Sequence, residues 1–301
     1  MKKIACNIVT FNRKALLKNC LIAVVNQTFK PYAVYITDNA STDGTVDAVK
    51  EWGYYNTEID GIKFKYILNS VNEGSSGGQY LGMKTAFEDD TYDGIWVMDD
   101  DGVPTETCLQ ELVLYLDNYH YISPLVIPEK GSDQLSFSFG KIKDVNSLVQ
   151  LSKNGVIEKY ACPFNGILYS RTLIERIGFP KREMFIWGDE NNYDLRCRYA
   201  GFYSVTILNA IHLHPFDRQN VISFMGLEIR EMEILWKAYC YFRNAFYNMS
   251  LYNHYWSCFI FFIKYLLYYI TRGNYMYIRC LFNASFDGLK ADFSKLRKYK
   301  V

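Results

Sequence analysis

The chain has 301 residues, half of them hydrophobic, and a formal net charge of +1 at pH 7. This length and composition suffice for one large domain with an appendage and argue against a disordered chain. The near-neutral charge argues against nucleic acid as a partner, because domains that bind it usually carry a basic excess. The eight cysteines are scattered without a CxxC pair, which indicates reduced, buried thiols of a cytoplasmic protein.

The first third of the chain alternates short apolar runs with helical patterns. Apolar residues recur at helical spacing between Leu16 and Val25, and Ser41 to Gly44 offer N-cap chemistry before a second helix. This alternation is typical of an α/β fold with a mixed, mainly parallel, Rossmann-like sheet flanked by helices. The runs that predict strands are Ile4 to Val9, Ala33 to Thr37, Phe64 to Leu68 and Ile95 to Met98.

Each predicted strand is followed directly by polar residues. Ligands of open α/β sheets bind beyond the carboxyl ends of the strands, so these residues should converge on one edge of the sheet. Convergence of several polar clusters is stronger evidence for a ligand site than any single motif. The clusters are Thr10-Phe11-Asn12-Arg13, Asp38-Asn39, Asn72 to Gly78, and Asp99-Asp100-Asp101.

The acidic triplet puts concentrated negative charge at the end of a buried strand. Like charges raise one another's pKa, whereas a divalent cation keeps carboxylates ionised and can bridge them to a diphosphate. The alternative is a solvated loop, the commonest fate of a charge run. Because side chains alternate along a strand, Asp99 and Asp101 are candidate metal ligands, and Asp100 is a candidate partner of a sugar or ribose.

Two further polar groups lie in the less regular segment from about residue 123 to residue 222. Trp187-Gly188-Asp189-Glu190 carries a pair of carboxylates before a helix-like segment, and helix capping is the alternative to a catalytic role. His212 and His214 lie two residues apart, so they face the same side of an extended segment. A histidine nitrogen commonly completes a metal site built on carboxylates.

From about residue 223 the composition changes to helical runs dense in tyrosine and phenylalanine, which predicts a C-terminal helical region over 223–301. Its most apolar stretch, Tyr255 to Ile270, contains Lys264 and is shorter than the roughly 20 residues that span a bilayer. With Arg279 and the lysines near the chain end, this region suits either an interfacial membrane helix or a packing or dimer surface. Homo-oligomerisation therefore stays open.

Taken together, these stretches resemble family 2 glycosyltransferases of the GT-A fold. The match covers roughly Ile4 to Pro215 and includes Asp38 to Gly44 and the glycine-rich Asn72 to Gly78. The resemblance implies an inverting transferase that uses a nucleotide-diphosphate sugar and Mn²⁺ or Mg²⁺. It also implies a GT-A catalytic domain over 1–222, in which 1–122 binds the nucleotide-sugar and 123–222 provides the acceptor site and the base.

The resemblance further assigns individual residues. An aromatic ring at Phe11 can stack on a base and the guanidinium of Arg13 can bind phosphate, although a core aromatic and a surface charge are the alternatives. His214, which follows Asn209-Ala210-Ile211, matches a metal-binding histidine. The expected nucleotide-sugar residues are Thr10, Phe11, Arg13, Asp38, Asn72, Gly74, Asp99 and Asp100, and the expected metal ligands are Asp99, Asp101 and His214.

An inverting transfer needs one base to deprotonate the acceptor hydroxyl, because direct displacement has no covalent intermediate. Asp189 and Glu190 match the first two acids of a stretch found in galactofuranosyl- and rhamnosyl-transferases of this family. Asn192 occupies the position of a third acid, which leaves the choice of base open. We favour Glu190.

The expected function is transfer of a sugar to a hydroxyl of a growing, polyprenyl-linked cell-surface glycan at the cytoplasmic face of the membrane. UDP-galactofuranose is the first choice of donor, dTDP-rhamnose is its close competitor, and UDP-glucose and UDP-galactose stay open. Two alternatives come from other classes. One is a nucleotidyltransferase, and the other is a non-catalytic nucleotide-sugar-binding subunit of a polysaccharide synthesis complex.

Overall fold

A computed structural model describes residues 2–140, 142–216, 221–252 and 254–299. The chain forms two compact units. The first is Met1–Arg182 with Tyr193–Asp217, and the second is Glu183–Asn192 with Arg218–Val301. Asp189 and Glu190, which we expected within a domain over 1–222, therefore belong to the same unit as the C-terminal helices.

The first unit contains twelve of the described strands and most of the shorter helices. Its strands are β1 (Ile4–Thr10), β2 (Ala33–Asp38), β3 (Glu58–Ile59), β4 (Ile62–Leu68), β5 (Gly94–Asp99), β6 (Val103–Pro104), β7 (Tyr121–Ile127), β8 (Gln134–Phe139), β9 (Ile142–Asp144), β10 (Val156–Glu158), β11 (Asn165–Ser170) and β12 (Val205–Leu213). Its helices are α1 (Lys14–Val25), α2 (Thr45–Glu51), α3 (Gly74–Asp89), α4 (Cys108–Val113), α5 (Val145–Val149), α6 (Arg171–Ile177) and most of α7 (Asp189–Tyr199).

One mixed sheet of ten strands organises this unit. Its order is β10-β12-β7-β11-β5-β1-β2-β4-β3, with β6 paired to β12, and β5, β1, β2 and β4 run parallel at its centre. These four are the strands predicted from the apolar runs, so that prediction is confirmed. Thr10 lies opposite Asp38 and Val9 lies opposite Asp99, which brings the polar residues after these strands to the same edge of the sheet.

Alternating side chains of β1 bind helices to both faces of the sheet. Ile4, Cys6 and Ile8 pack into one core with α1, α2 and α4, while Ala5 packs into a second core with α3, α6 and α7. Every residue of β1 is buried, as in a parallel strand covered on both faces. The result is a layer of helices on each side of the sheet.

The glycines of α3 let this helix approach β1 closely. A Cβ on Gly82 would lie 1.9 Å from Asn7 Oδ1 and 2.4 Å from Thr37 Oγ1, and one on Gly78 would lie 2.5 Å from Val9. The helix begins at Gly74, so Gly77 and Gly78 lie in a helix rather than in a loop. Close packing on the sheet explains the absence of side chains at Gly78 and Gly82.

The second unit contains a hairpin and three long helices. These are β13 (Val221–Phe224), β14 (Leu227–Arg230), α8 (Leu235–Leu251), α9 (Tyr255–Thr271) and α10 (Tyr275–Leu289). Their core consists largely of tyrosine and phenylalanine rings, which accounts for the aromatic composition of this region. No helix among the described residues has the length and apolar character that a membrane span requires. All eight cysteines are buried and free of disulfides.

Replacing Gly82 by alanine should destabilise the protein, because the new methyl group overlaps Asn7 and Thr37 and neither side chain can move without breaking their hydrogen bond. We expect a loss of about 1 to 3 kcal/mol in the free energy of unfolding, measured by denaturant titration. Glu88→Ala, at an exposed position on the same helix, is the matched control and should change that free energy by less than about 0.5 kcal/mol. Equal stability of the two variants would contradict close packing of α3 on β1.

Candidate active site

The end of β1 is bound to the acidic triplet by a hydroxyl and a guanidinium. Thr10 Oγ1 donates a 2.7 Å hydrogen bond to Asp100 Oδ2. Arg13 Nη1 lies 3.0 Å from Asp101 Oδ2 and 3.4 Å from Asp100 Oδ1. Thr10 and Asp100 are almost fully buried, whereas about half of the Arg13 side chain is exposed. Arg13 thus supplies positive charge to two of the three carboxylates.

The third carboxylate, Asp99, is held from inside the first unit. Gln79 Nε2 donates a 2.9 Å hydrogen bond to Asp99 Oδ1, and Gln79 Oε1 accepts one from Asn7 Nδ2. Asn7 Oδ1 in turn accepts a hydrogen bond from Thr37 Oγ1. Because Asn7 occupies the oxygen of Gln79, the amide can present only its N–H group to Asp99. We call Thr37, Asn7 and Gln79 the polar relay.

Burial sets the acidity of the triplet. Removal from water, followed by repulsion from the neighbouring acids, raises the pKa of Asp99 from its usual 3.8 to about 7. Burial also raises the pKa of Asp100 to about 6, although Thr10 and Arg13 oppose the shift. Burial alone would raise the pKa of Asp101 as well, but His214 and Arg13 outweigh it and that pKa lies below its usual value.

Strand β6, which follows the acidic triplet in sequence, pairs with the end of β12. This pairing brings His214, the residue after β12, next to the triplet. The Nε2 atom of His214 lies 3.3 Å from Asp101 Oδ1. Burial alone would lower the pKa of His214, but Asp101 outweighs it and that pKa is raised. The triplet and the histidine lie more than a hundred residues apart in sequence, so β12 brings them together.

The Asp101 and His214 pair has the donor set of a metal site. His214 Nδ1 lies 2.7 Å from the Pro215 carbonyl oxygen, so this nitrogen carries a proton and Nε2 faces Asp101, either as an N–H group or, when the ring is neutral, with its lone pair. The buried Oδ1 atom of Asp101 accepts no hydrogen bond from any described residue. When the ring is neutral and Asp101 is ionised, the two facing atoms are both electron-rich, and either a cation or a proton between them stabilises the pair. A histidine that donates its other N–H to a backbone carbonyl is typical of metal ligation.

Asp99 does not complete a third position beside this pair. Within residues 2–140, 142–216, 221–252 and 254–299, no three His, Cys, Asp or Glu side chains have the arrangement of a metal cluster. Asp99 instead accepts the hydrogen bond of Gln79. The donor atoms of Asp101 and His214 suit a divalent ion, and the roles of Asp99, Asp101 and His214 as metal ligands stay predictions.

His212 packs so closely against residue 102 that only glycine fits there. A Cβ on Gly102 would lie 2.2 Å from His212 Nε2, and one on Gly166 would lie 2.7 Å from Nδ1. Burial lowers the pKa of His212 to about 3, so its ring is neutral at physiological pH. Neither ring nitrogen has a hydrogen-bond partner among the described residues. His212 packs under the site rather than facing it.

The residues expected on the nucleotide side form a second, connected group. Asp38 is buried. Its carboxylate accepts a 2.8 Å hydrogen bond from the Ser41 backbone N–H and another from the Tyr66 hydroxyl. Asn39 binds the start of α3 by donating to the Gly74 carbonyl at 2.6 Å and accepting from the Glu73 amide. The carboxamide oxygen of Asn72 accepts a 2.8 Å hydrogen bond from Gly74 N–H, and Gly74 has a φ of +72° that favours glycine.

Phe11 and Arg13 lie at the open side of this edge. Phe11 is 38% exposed, so it is not a core aromatic. Arg13, which we expected on phosphate, contacts the carboxylates of the triplet, and its exposed half leaves it accessible to an anion. The polar relay is a functional candidate that sequence reasoning missed, whereas Asn39 was expected at this edge only as part of the Asp38-Asn39 cluster. A polar residue inside the fully buried strand β1, Asn7, was the signal that could have found the relay.

In the second unit, side chains of α8 bind the main-chain carbonyl groups of the loop that precedes the acid pair. Asn244 Nδ2 lies within hydrogen-bond distance of the carbonyl oxygens of Met184, Ile186 and Trp187, at 3.0, 3.0 and 2.7 Å. One turn further along α8, Asn248 donates to the Gly188 carbonyl. The side chains of Asn244 and Asn248 are buried, and two polar side chains four apart in an aromatic helix were the sequence signal for this contact.

The acid pair itself lies in the first turn of α7. Glu190 Oε2 accepts a 3.0 Å hydrogen bond from Gly188 N–H, which is capping chemistry, while Asp189 is buried and Glu190 is half-buried. Asn192, at the position of the expected third acid, donates to Asn248 Oδ1 at 3.0 Å. Asn192 thus connects α7 to α8, and Glu190 is the more accessible carboxylate.

Comparison with known proteins gives the family of this chain. Residues 6–177, more than half of the chain, match the family described as Glycosyl transferase family 2. The chain belongs to glycosyl transferase family 2. It is 27% identical over 229 residues to galactofuranosyltransferase GlfT1 of Mycolicibacterium smegmatis, which covers 73% of each protein. It is 25% identical over 226 residues to the GalNAc(5)-diNAcBac-PP-undecaprenol beta-1,3-glucosyltransferase of Campylobacter jejuni, covering 74% of this chain and 68% of that one.

The structural likeness confirms the predicted GT-A-like fold. The chain superposes on GalNAc-T7, solved with UDP, GalNAc and Mn²⁺, with a TM-score of 0.59 and 14% identity over 83% of this chain. It spans about half of the GalNAc-T7 chain, 48%, so the likeness concerns the fold alone. This family 2 enzyme is therefore a glycosyltransferase with a mixed, mainly parallel sheet and C-terminal helices. The roles of its individual site residues stay predictions.

Divalent cations should stabilise this enzyme more at alkaline than at acidic pH. In the folded protein the pKa of Asp99 is about 7 and that of Asp100 is about 6, both above their usual value of 3.8. The stability that their protonated forms contribute is therefore lost as the pH rises through about 6 and 7. A cation neutralises the ionised cluster but competes with protons at low pH. We expect Mn²⁺ at about 1 mM to raise the melting temperature by about 3 to 8 °C near pH 8, and by much less near pH 5.5.

Two variants control this measurement. Asp101→Asn should lose most of the response to Mn²⁺, since it removes the negative charge of one of the two candidate ligands. Asp117→Asn changes an exposed surface aspartate and should keep the full response. An identical shift in both variants would place the cation elsewhere.

Replacing Asn244 by aspartate should free the loop that carries the acid pair. The substitution keeps the shape of the side chain but turns a donor toward three carbonyl oxygens into an acceptor that repels them. We expect a loss of about 3 kcal/mol in stability and faster hydrogen exchange at residues 184–190. Asn283→Asp, at an exposed site on α10, is the matched control. Unchanged exchange in Asn244→Asp would contradict the contact.

Proposed function

We propose that this glycosyltransferase is inverting and metal-dependent, and that it moves galactofuranose from UDP-galactofuranose to a hydroxyl of a growing, lipid-linked glycan. The observation that carries the proposal is the convergence of Thr10, Arg13, His214 and the acidic triplet at the carboxyl edge of the parallel strands. The sequence identity of 27% to a galactofuranosyltransferase supports the choice of donor. A relative named for an undecaprenol-linked substrate supports a polyprenyl-linked acceptor at the cytoplasmic membrane face.

The donor site follows from the edge of the sheet. Phe11, an exposed aromatic, stacks on the base, and the buried carboxylate of Asp38 accepts a hydrogen bond from the base or ribose. Asn72 and Gly74 shape the turn at the start of α3, and the N-terminus of this helix favours a nearby anion. Asp100, bound to Thr10, faces the sugar or ribose.

The diphosphate needs positive charge. Arg13 is held by Asp100 and Asp101 and keeps half of its surface exposed, so it can bind phosphate oxygens without moving far. Asp101 and His214 would hold Mn²⁺ or Mg²⁺, and Asp99, oriented by Gln79, would support them. When bound, such an ion supplies the charge that stabilises a departing diphosphate.

The transfer itself needs one proton acceptor. The acceptor oxygen forms a bond to the anomeric carbon while the bond from that carbon to the diphosphate oxygen breaks, and the hydroxyl proton passes to a carboxylate. We assign this role to Glu190 because it is the more accessible of the two acids, with Asp189 as the alternative. The nucleoside diphosphate leaves with both electrons of the broken bond.

A glucosyl transfer from UDP-glucose is the second candidate, since one relative is named as a glucosyltransferase. Transfers from dTDP-rhamnose and UDP-galactose are the remaining sugar alternatives. Membership of glycosyl transferase family 2 speaks against a nucleotidyltransferase. A non-catalytic binding subunit would keep its function after replacement of both Asp189 and Glu190.

A donor panel tests the proposal. The full-length protein is incubated with Mn²⁺, a polyprenyl-linked glycan and each of the four nucleotide-sugars, and free nucleoside diphosphate is measured. We expect the fastest release from UDP-galactofuranose, loss of release with a chelator or in Asp101→Asn, and a product of inverted anomeric configuration. Glu190→Gln should lower kcat by about 10² to 10⁴ with little change in the donor KM.

Glu175→Gln, at an exposed carboxylate on α6, is the matched control and should retain full turnover. Pyrophosphate release from a nucleoside triphosphate would identify a nucleotidyltransferase. Full turnover in the double variant Asp189→Asn, Glu190→Gln would remove both acids from the mechanism, and a retained anomeric configuration would overturn direct displacement.

A further inference from the structure

We propose that the exposed face shared by α9 and α10 binds the surface of a bilayer that contains anionic lipids. This proposal concerns the second unit alone. It does not depend on the donor, the metal or the base, because lipid binding is measured without substrate. The evidence comes from the exposure of apolar side chains, the distribution of charge and a cavity at the edge of this face.

Helix α9 exposes a continuous apolar stripe. Its members lie at positions 0, 3, 4, 11 and 14 of the helix face, so they point in one direction. Their exposed fractions run from 45% to 73%, whereas the opposite side of α9 packs into the aromatic core. The stripe consists of Trp256, Phe259, Ile260, Leu267 and Ile270.

Helix α10, which packs beside α9, exposes a second apolar stripe. Its members are between 49% and 81% exposed, and they too recur at helical spacing. The two helices also contact each other, with the rings of Phe262 on α9 and Phe282 on α10 lying 5.0 Å apart. The second stripe consists of Tyr275, Met276, Phe282, Phe286 and Leu289.

The charges around these stripes select an anionic partner. Between His254 and Lys290 the only acidic residue is Asp287, which is buried and bound by Tyr239 and Lys295. Exposed basic residues surround the apolar surface, and anionic lipids attract such residues. A second copy of the chain docked on the same face would bring like charges together, which disfavours a symmetric dimer here. These basic residues are Arg272, Arg279, Lys290 and Lys298.

A cavity of about 610 Å³ lies where the α10 stripe meets these charges. Met276 and Phe286 of the stripe line it together with Arg279 and Lys298. Neither cation has a carboxylate partner within the described part of the chain, while the neighbouring Lys295 is paired with Asp287 and Asp292. Two unpaired cations beside apolar side chains fit the phosphate and upper acyl chain of a lipid.

The lengths of the helices decide how the face meets the bilayer. At 17 and 15 residues, α9 and α10 are about 25 and 22 Å long, and no helix of the described residues suits a membrane span. They would therefore lie along the interface with their apolar stripes in the headgroup and acyl boundary. Trp256 and Tyr275, near the starts of the two helices, are residue types that favour this boundary.

Vesicle flotation tests the proposal with the full-length protein. We expect binding to vesicles of phosphatidylcholine with about 30% phosphatidylglycerol, weaker binding to phosphatidylcholine alone, and weakening by salt. Trp256→Ser with Phe259→Ser should weaken binding at least about 10-fold, because both apolar side chains are lost from the interface. Arg279→Gln with Lys298→Gln should weaken it about 30-fold on anionic vesicles only.

Leu114→Ser, an exposed apolar position of the first unit, and Lys130→Gln, an exposed lysine, are the matched controls and should bind like the wild type. Absence of wild-type binding to anionic vesicles would overturn the proposal. So would equal binding by all variants, or a solution dimer of the wild type that becomes monomeric in the Trp256→Ser, Phe259→Ser variant. Turnover of a soluble acceptor should be unchanged in the surface variants, which separates this result from that of the donor panel.

Discussion

The accumulation of negative charge at the end of β5 is the constraint on which the arrangement of the first unit depends. Three consecutive carboxylates enter a poorly solvated edge of the sheet, where burial opposes their ionisation. Compensation comes from a hydroxyl on β1, a guanidinium before α1, an amide on α3 and an imidazole after β12. These groups come from separate segments of the chain. Compensation of the triplet's negative charge therefore requires the ends of several strands and helices to meet at this edge of the sheet.

The sequence predicted the central strands because parallel strands covered on both faces appear as unbroken apolar runs. It also predicted the convergence of polar clusters, since position after a strand is a local property. The polar relay was not predicted, because the pairing of Gln79 with Asp99 depends on how closely α3 approaches β1. Glycines that permit this approach look the same in sequence as glycines of a loop. Likewise, only contacts with α8 reveal that Asp189 and Glu190 belong with the C-terminal helices.

The two proposals concern different surfaces but suit one kind of substrate. A glycan that grows on a polyprenyl diphosphate remains at the bilayer, and an enzyme held at that surface meets it by diffusion in two dimensions. Confinement of this kind raises the effective concentration of two partners without any new contact between them. Attachment through an amphipathic face also remains reversible, so that one enzyme molecule can serve many acceptors.

The loop before α7 is held almost entirely through its own carbonyl oxygens, which Asn244 and Asn248 bind. A loop fixed in this way depends little on its exposed side chains, although Met184 and Phe185 are buried and the positive φ of Phe185 and Trp187 disfavours β-branched residues. Under the proposed role of this loop at the acceptor, the chemical groups that it offers to an incoming sugar can change while its path stays constant. Redesign of acceptor choice in this enzyme should begin with these side chains and leave the two asparagines untouched.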